Sequence, residues 1–459
     1  MGERPHVVVV PFPAQGHVKP LLKLAYLIAD YGIKVTLLNP KPVHAKITAA
    51  SPEKEREESG VTLLSVPGIL DLEADQVDVT TWLNSLQCQM KAYLKNMIQK
   101  IDESGSEEKV SFVVADTTLG WILEVPKEMG IKHAAVWPGG PGCMVLLRQI
   151  PKLIEAGIID KDGLMLKNEL VSVYEGIPAW RSTELSWSCP GDQPEEMQRI
   201  SFQFFQTIKQ AIELPSWLLC NTFHELHPEM SRFIPNMLPI GPLLDTNNPK
   251  HSNGSLLLED DSCLSWLDER PPCSVIYVSF GSVTKLTQHQ FDELALGLEL
   301  AGRPFLWAVR SGLIYDQLST QFPDGFRERV ASLGKIVEWA PQEEVLAHPS
   351  VACFFTHCGW NSTVEGLSRG VPFLCWPYFA DQFHNRDFIC DRWKVGLKLN
   401  QDHEEVISRQ EIKTNIERLL TDKAIRENAL KWKEKAANSY REGGSSLTNL
   451  ETFIQHLKG

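Results

Sequence analysis

The sequence predicts an α/β protein made of two doubly wound domains that face each other across a cleft. Three observations carry this. Short apolar runs alternate with helically spaced segments, as βαβ units on a parallel sheet do. A polar stretch interrupts the alternation near residue 245, after which it restarts. The length, 459 residues, suits two domains at roughly 100–200 residues each.

In chain order, His6–Val10 is a buried-strand run, and Val18–Tyr31 has helical spacing, with Gly32 placed to cap it. Ile33–Leu38 and Val110–Ala115 are further strands, the second closed by Asp116. Leu119–Met129 reads as a helix stopped by Gly130, and Ile131–Val136 as a strand. Residues 68–105 and 140–215 carry long helical patterns, like insertions that wall a cleft. The first domain spans 1–243, a linker 244–262, and the second domain 263–459, whose last helix can pack back on the first. In the second domain, Ser274–Phe280, Pro304–Val309, Lys335–Glu338, Val351–Phe355 and Pro372–Cys375 read as strands. Gln288–Ala301 reads as a helix, and 409–457 as a helical tail broken at Gly443-Gly444.

Composition narrows the function classes. Hydrophobic residues make up 43% and charged residues 22%, which is ordinary for a globular chain. The net charge is −13 and no basic block stands against it, so a nucleic-acid binder is excluded as the first reading. An anionic ligand is still compatible, because helix N-termini hold phosphate on acidic proteins. The 10 cysteines form no CxxC and several lie in apolar runs, as buried free thiols do. The N-terminal apolar run is too short for a signal peptide, and no stretch of about 18 apolar residues spans a membrane. A cytoplasmic monomer is expected. The sequons at Asn253 and Asn361 are then chance.

Residues 339–382 hold the densest chemistry. After the strand at Val351–Phe355, Gly359 permits a tight turn, and Ser362–Arg369 makes a short helix ending at Gly370. The N–H groups at the start of that helix, with His357, Asn361 and Ser362, can form an anion site at a strand's carboxyl end. Trp339 can stack a planar base, Glu365 can accept from ribose hydroxyls, and Asp381 and Gln382 can read sugar hydroxyls. Each residue alone fits a capped turn or a core tryptophan equally well; the set favours a ligand. A second pairing lies near the N-terminus. His17 ends Pro11-Phe12-Pro13-Ala14-Gln15-Gly16 after the first strand, and Asp116 ends a neighbouring one. This puts an imidazole and a carboxylate at one sheet edge, where one can orient the other. Asp116 is also placed as a helix N-cap, and His17 as a surface residue.

The segment Trp339–Gln382 resembles the 44-residue donor-binding signature of plant family-1 UDP-glycosyltransferases, and the resemblance extends over essentially the whole chain. It implies the GT-B fold of two Rossmann-like domains. It also implies that Trp339 stacks on uracil with Ala340 and Gln342 near base and ribose, and that Glu365 holds the ribose. His357, Asn361, Ser362 and Ser282 would then contact the diphosphate, and Trp360, Asp381 and Gln382 the sugar. His17 is implied as catalytic base with Asp116 as its partner. The implied reaction moves glucose from UDP-glucose, with inversion, to a hydroxyl of a small hydrophobic acceptor: phenolic, flavonoid or terpenoid. No cofactor and no metal is implied; UDP-glucose is a substrate. In Trp137-Pro138-Gly139-Gly140 the chain departs from the family, which often has Thr or Ser at position 138 touching the sugar's 6-position. Pro138 offers no donor, which loosens the expected preference for glucose over xylose.

Other patterns weigh less. Asp160-Lys161-Asp162 is a DxD, a metal and UDP motif elsewhere, but beside Gly157 and Gly163 it reads as a solvated turn. His224 and His227 lack the i, i+4 spacing of a helical zinc site. Candidate acceptor walls are Trp82, Leu86, Trp121, Pro138, Trp180, Trp187, Phe202, Phe205 and Phe379, with core packing as the competing reading. The alternative functions are a nucleotide-dependent oxidoreductase, which the missing GxGxxG disfavours, and a UDP-sugar or small-molecule binding protein without turnover.

Overall fold

The structure, a computed structural model, describes residues 5–50, 58–70, 76–104, 109–174, 176–188, 195–213, 217–244, 251, 255–315 and 321–459. The first four residues, Cys189, Asn253 and most of the expected linker (245–250 and 252–254) lie outside the described residues. The chain divides into two compact units. Unit 1 holds Met1–Lys152, Arg199–Leu257 and Ser439–Gly459; unit 2 holds Leu153–Gln198 and Leu258–Asn438.

Unit 1 is built on a parallel sheet of β1 (His6–Val10), β2 (Lys34–Pro40), β3 (Val61–Val66), β4 (Val110–Asp116), β5 (Lys132–Trp137), β8 (Leu218–Cys220) and β9 (Met237–Pro239). The intervening β6 (Leu170–Val171) and β7 (Trp180–Arg181) form an antiparallel pair in unit 2. The sheet order is β3-β2-β1-β4-β5-β8-β9. Its central strands are apolar on both faces, as strands covered by helices on both sides are. Val7, Val9, Val35, Phe112 and Val114 pack against Leu21, Leu24 and Ile28 of the Gln15–Asp30 helix. The C-terminal Ser445–Lys458 helix closes the same core with Leu450, Phe453, Ile454 and Leu457.

Unit 2 repeats the plan with β10 (Val275–Ser279), β11 (Phe305–Ala308), β12 (Gly334–Val337), β13 (Val351–Thr356), β14 (Phe373–Cys375) and β15 (Gly396–Lys398), in the order β12-β11-β10-β13-β14-β15, all parallel. Phe291, Leu294 and Leu298 of the Gln288–Ala301 helix fill its core with Trp307, Phe326, Ile412 and Ile416. In each sheet the strand order reverses between two neighbours, β1 and β4 in the first, β10 and β13 in the second. Open parallel sheets bind ligands at the carboxyl edge of that switch point, because the loops there leave in opposite directions.

Two expected helices differ in detail. Leu119–Met129 is a tight 3-10 turn over Thr117–Leu123 followed by a short helix, Glu124–Glu128. Pro126 has no N–H to extend an α-helix backwards, and Leu119 leaves helical geometry (φ −104°, ψ 31°). The helix expected from Ser362 starts at Trp360, because Gly359 is its N-cap.

Candidate functional site

At the first switch point, β1 runs into Pro11 and the Gln15–Asp30 helix, and β4 ends on Asp116. Val9 and Val10 lie in register with Val114 and Ala115, so His17, in the first helical turn, is delivered beside Asp116. His17 Nδ1 is 2.8 Å from Asp116 Oδ2. Asp116 is fully buried, and its other oxygen, Oδ1, accepts the Thr118 N–H at 2.8 Å. The carboxylate is thus both cap and partner. An ionised carboxylate only accepts, so His17 carries its proton on Nδ1 and turns an Nε2 lone pair outward as acceptor. The imidazole is 30% exposed, which leaves it reachable by substrate.

Phe12 packs 5.1 Å from the His17 ring, and Trp82 and Phe204 pack on Phe12 at 5.9 and 6.1 Å. Phe12 and Phe204 were not among the sequence candidates; the aromatic residue in the loop just before His17 was the available signal. Phe205 touches Phe204, Trp121 lies half-buried near Lys91, and Pro138 is buried just after β5. Leu86 belongs instead to the buried stripe Leu86, Met90, Leu94 and Ile98 of the Val79–Glu103 helix, so it packs as core. Phe202 is likewise buried. Trp180, Trp187 and Phe379 belong to unit 2, where both tryptophans are fully buried; Trp187 Nε1 donates to the Gly163 carbonyl at 3.0 Å.

At the second switch point, β10 is followed by the turn Phe280-Gly281-Ser282, and β13 by His357, Cys358 and Gly359 before the Trp360–Arg369 helix. The His357 ring lies between the two turns. A Cβ on Gly359 would stand 2.5 Å, and one on Gly281 2.6 Å, from its Nε2, so both positions must be glycine for the ring to fit. Burial, opposed by a hydrogen bond to the Ser279 backbone and aided by the Arg310 charge, lowers the His357 pKa to about 4. The ring is therefore neutral, and its single N–H is directed at the Ser279 carbonyl. Gly359 has no side chain to cap the helix, so no protein group competes with a ligand for its first-turn N–H groups from the cap position. Arg310, not a sequence candidate, braces the Ser282 turn through the carbonyls of Gly281 (3.1 Å) and Thr284. A lone arginine just past β11 was the signal.

Beside this turn, Gln342 ties the expected ribose and base residues together. Its amide donates to Ser362 Oγ at 2.9 Å and Glu365 Oε2 at 2.6 Å, and its oxygen accepts from Tyr277 at 3.2 Å. Trp339 is half-buried and its carbonyl accepts from Asp260 N–H; Ala340 and Trp360 are buried, and Asn361 and Ser282 half-buried. Asp381 precedes the Gln382–Asp387 helix, and Gln382 Oε1 accepts the N–H groups of Tyr378 (2.8 Å) and Phe379 (3.0 Å). The DxD aspartate Asp160 closes its own turn, accepting from Asp162 and Leu164 N–H. Among the described residues, no group of three or more His, Cys, Asp or Glu could hold a metal ion, and no helix is long and apolar enough to cross a membrane.

Known proteins resemble this chain over nearly its whole length. A profile for UDP-glucoronosyl and UDP-glucosyl transferase matches residues 207–434, and one for a glycosyltransferase N-terminal domain matches 3–55. UDP-glycosyltransferase 83A1 of Arabidopsis thaliana is 38% identical over 99% of this chain and 97% of its own length. A UDP-glucosyltransferase from Polygonum tinctorium capable of glucosylating indoxyl, in complex with 3,4-dichloroaniline, superposes with a TM-score of 0.83 at 25% identity, covering 100% of both chains. Phytolacca americana UGT2 complexed with UDP-2fluoro-glucose and pterostilbene gives 0.79 at 26% identity, over 99% of this chain and 100% of that one.

Proposed function

The chain belongs to the plant family-1 UDP-glycosyltransferases, GT-B enzymes that transfer a glycosyl group from a UDP-sugar, and we propose that it moves glucose from UDP-glucose to a hydroxyl of a small hydrophobic acceptor, inverting the anomeric centre. The observation that carries this is the His17–Asp116 pair at the unit 1 switch point. His17 Nε2 takes the acceptor's proton as its oxygen attacks, and Asp116 stabilises the imidazolium that forms. Attack comes from the face opposite the leaving UDP, which inverts the configuration. Charge then grows on the diphosphate. Ser282, Asn361, Ser362 and the first-turn N–H groups of the Trp360–Arg369 helix are the donors for it, and the His357 ring contacts the diphosphate between the two turns that present them. Trp339 stacks on uracil, Ala340 and Gln342 flank it, Glu365 binds the ribose, and Trp360, Asp381 and Gln382 line the sugar. Unit 1 is the acceptor-binding half and unit 2 the donor-binding half.

A hydrophobic acceptor is supported by the aromatic group of Phe12, Trp82 and Phe204 around His17. Relatives act on or bind phenol-like and aniline-like rings, which fit such surroundings. The free, mostly buried cysteines among the described residues support a cytoplasmic enzyme. The test is a screen of phenols, flavonoids and terpenoid alcohols with UDP-glucose, UDP-xylose and UDP-galactose, read by mass spectrometry, with the product's anomeric configuration from proton NMR. A β-glucoside from the α-linked donor is expected. An α-glucoside, or no transfer with UDP-glucose where another UDP-sugar reacts, overturns the reading.

A further inference from the structure

Residues 180–187 come from the N-terminal half of the sequence, yet they pack in unit 2 against the Gln382–Asp387 helix. The chain leaves unit 1 after Lys152 and returns to it at Arg199. Between, β7, a 3-10 turn at Ser182–Glu184 and the following Leu185-Ser186-Trp187 make a strap whose Trp180, Ser182, Leu185, Ser186 and Trp187 are all buried. The strap is held at its own base: Ser182 Oγ donates to the Lys167 carbonyl at 2.8 Å and accepts the Glu169 N–H at 3.0 Å.

Three contacts join the strap to the helix. Ser186 Oγ and His384 Nε2 are 2.9 Å apart, both buried. The His384 ring stands edge-on to Trp180 at 4.1 Å between centroids. Arg386 donates to both oxygens of Glu184, at 3.1 and 2.7 Å, a bidentate pair that fixes orientation as well as distance. The same helix reaches the diphosphate turn from another residue, since Asn385 Nδ2 donates to the Cys358 carbonyl at 2.9 Å. The helix that starts beside Asp381 is thus gripped at consecutive residues: His384 and Arg386 by the strap, Asn385 by the turn that presents His357. Six residues of helix have little rigidity of their own, so its direction is set by what holds it.

We propose that the strap, through Glu184 and Ser186, is a positioning element of the donor site that fixes Asp381 and Gln382 for recognition of the transferred sugar. This rests on the reading above, that Asp381 and Gln382 face the sugar. Glu184 and Ser186 touch no substrate; they act by orienting the helix. Ser186→Ala removes one oxygen and leaves the ion pair, and Glu184→Gln removes the charge and leaves the shape. A displaced pair of sugar contacts costs affinity for the sugar and leaves the UDP contacts in place.

The experiment measures dissociation constants for UDP and for UDP-glucose by calorimetry on the full-length chain, with thermal melting of each variant. Gln382→Ala is the reference variant. Ser186→Ala and Glu184→Gln are expected to weaken UDP-glucose about tenfold while leaving UDP within about twofold, since small misplacements of binding groups cost on that order. Ser186→Thr, which restores the hydroxyl, is expected to recover most of the loss. If Gln382→Ala changes the two ligands equally, the assignment of Gln382 to the sugar fails. If Gln382→Ala is selective but the strap variants are not, the positioning role fails and the donor assignment stands. Strap variants that lose both ligands equally, or do not fold, show a merely structural strap and also overturn the proposal.

Discussion

Replacing Asp116 with Asn tests the proposed base more sharply than removing His17. The substitution preserves shape but gives the buried position one acceptor and one donor. Asp116 Oδ1 already accepts the Thr118 N–H, so in the ground state the amide oxygen keeps that bond and its NH2 faces His17 Nδ1. An NH2 cannot accept, so the imidazole proton moves to Nε2, the atom that must take the acceptor's proton. To restore the working tautomer the amide must flip, leaving the Thr118 N–H unpaired at a cost of about 1–3 kcal/mol. Loss of the carboxylate charge opposite the forming imidazolium removes a charge-assisted bond of about 1.5–3 kcal/mol. At about 1.36 kcal/mol per decade, the two together predict a rate loss of roughly 10²–10⁴-fold, the range of general-base catalysis itself.

The assay is the initial rate of Asp116→Asn, His17→Ala and the parent enzyme against acceptors of graded acidity, from an acidic phenol to an aliphatic alcohol, at saturating UDP-glucose. A phenol needs less help in losing its proton, so the loss should be smallest there and largest on the alcohol. Calorimetry should find UDP-glucose affinity nearly unchanged, and melting should show that the buried Asn is tolerated. An equal loss across the acceptor series refutes proton abstraction and leaves His17 a positioning group. Near-parental turnover of His17→Ala on an alcohol at neutral pH moves the base elsewhere.

Gly359→Ala should act on UDP as His357→Ala does: its backbone (φ −57°, ψ 147°) suits alanine, but the new Cβ displaces the imidazole. Each should weaken UDP by roughly ten- to a hundredfold, from the about 1.5–3 kcal/mol of one contact with a charged group, and the double variant should be no worse; additive losses in calorimetry would show that the Cβ acts on something else. His357 and His384 are held neutral, at pKa about 4 and about 3, first by burial and then by Arg310 and Arg386. Folded values below the unfolded value of about 6.5 mean that the stabilisation is complete above pH 6.5 and is lost as pH falls toward 4 and 3, so the melting temperature should drop across that window; a flat profile would show that the rings are solvated. Activity should persist in excess EDTA; an enzyme silenced by EDTA and restored by manganese would make Asp160 and Asp162 candidates again.

The sequence was most informative where strands end. Runs such as Val7–Val10 and Val351–Phe355 are apolar on both faces, which marks central parallel strands, and the polar residues after them had to lie at the sheet's carboxyl edge. The features that were not legible depend on distant partners. The three-residue strands β8, β9 and β15 are too short for a periodicity. The affiliation of residues 153–198 with unit 2 rests on pairs such as Ser186 and His384, 198 positions apart. Leu86 and Trp82 share one helix, and only packing separates the residue on the Met90 and Leu94 stripe from the one beside Phe12.

The two switch points also explain how one residue type can serve the two tasks proposed for it. Each sheet delivers a histidine next to the loop of its neighbouring strand. In unit 1 that neighbour ends in a buried carboxylate, which fixes a proton on Nδ1 and makes the imidazolium accessible during reaction. In unit 2 the loop after the neighbour carries Gly281, which leaves room for the ring; burial there, with a smaller contribution from Arg310, penalises the imidazolium and holds the ring neutral. A base must accept a positive charge when it works; a ring proposed to pack beside a diphosphate need not. An Asp116 partner would suit His357 poorly, since its negative charge would stand beside the phosphates. Arg310 in place of Asp116 would leave His17 too weakly basic to take a proton from an alcohol. The division of labour is therefore set by the carboxylate that ends β4 and by the burial of His357 between Gly281 and Gly359, to which Arg310 adds, not by the histidines themselves.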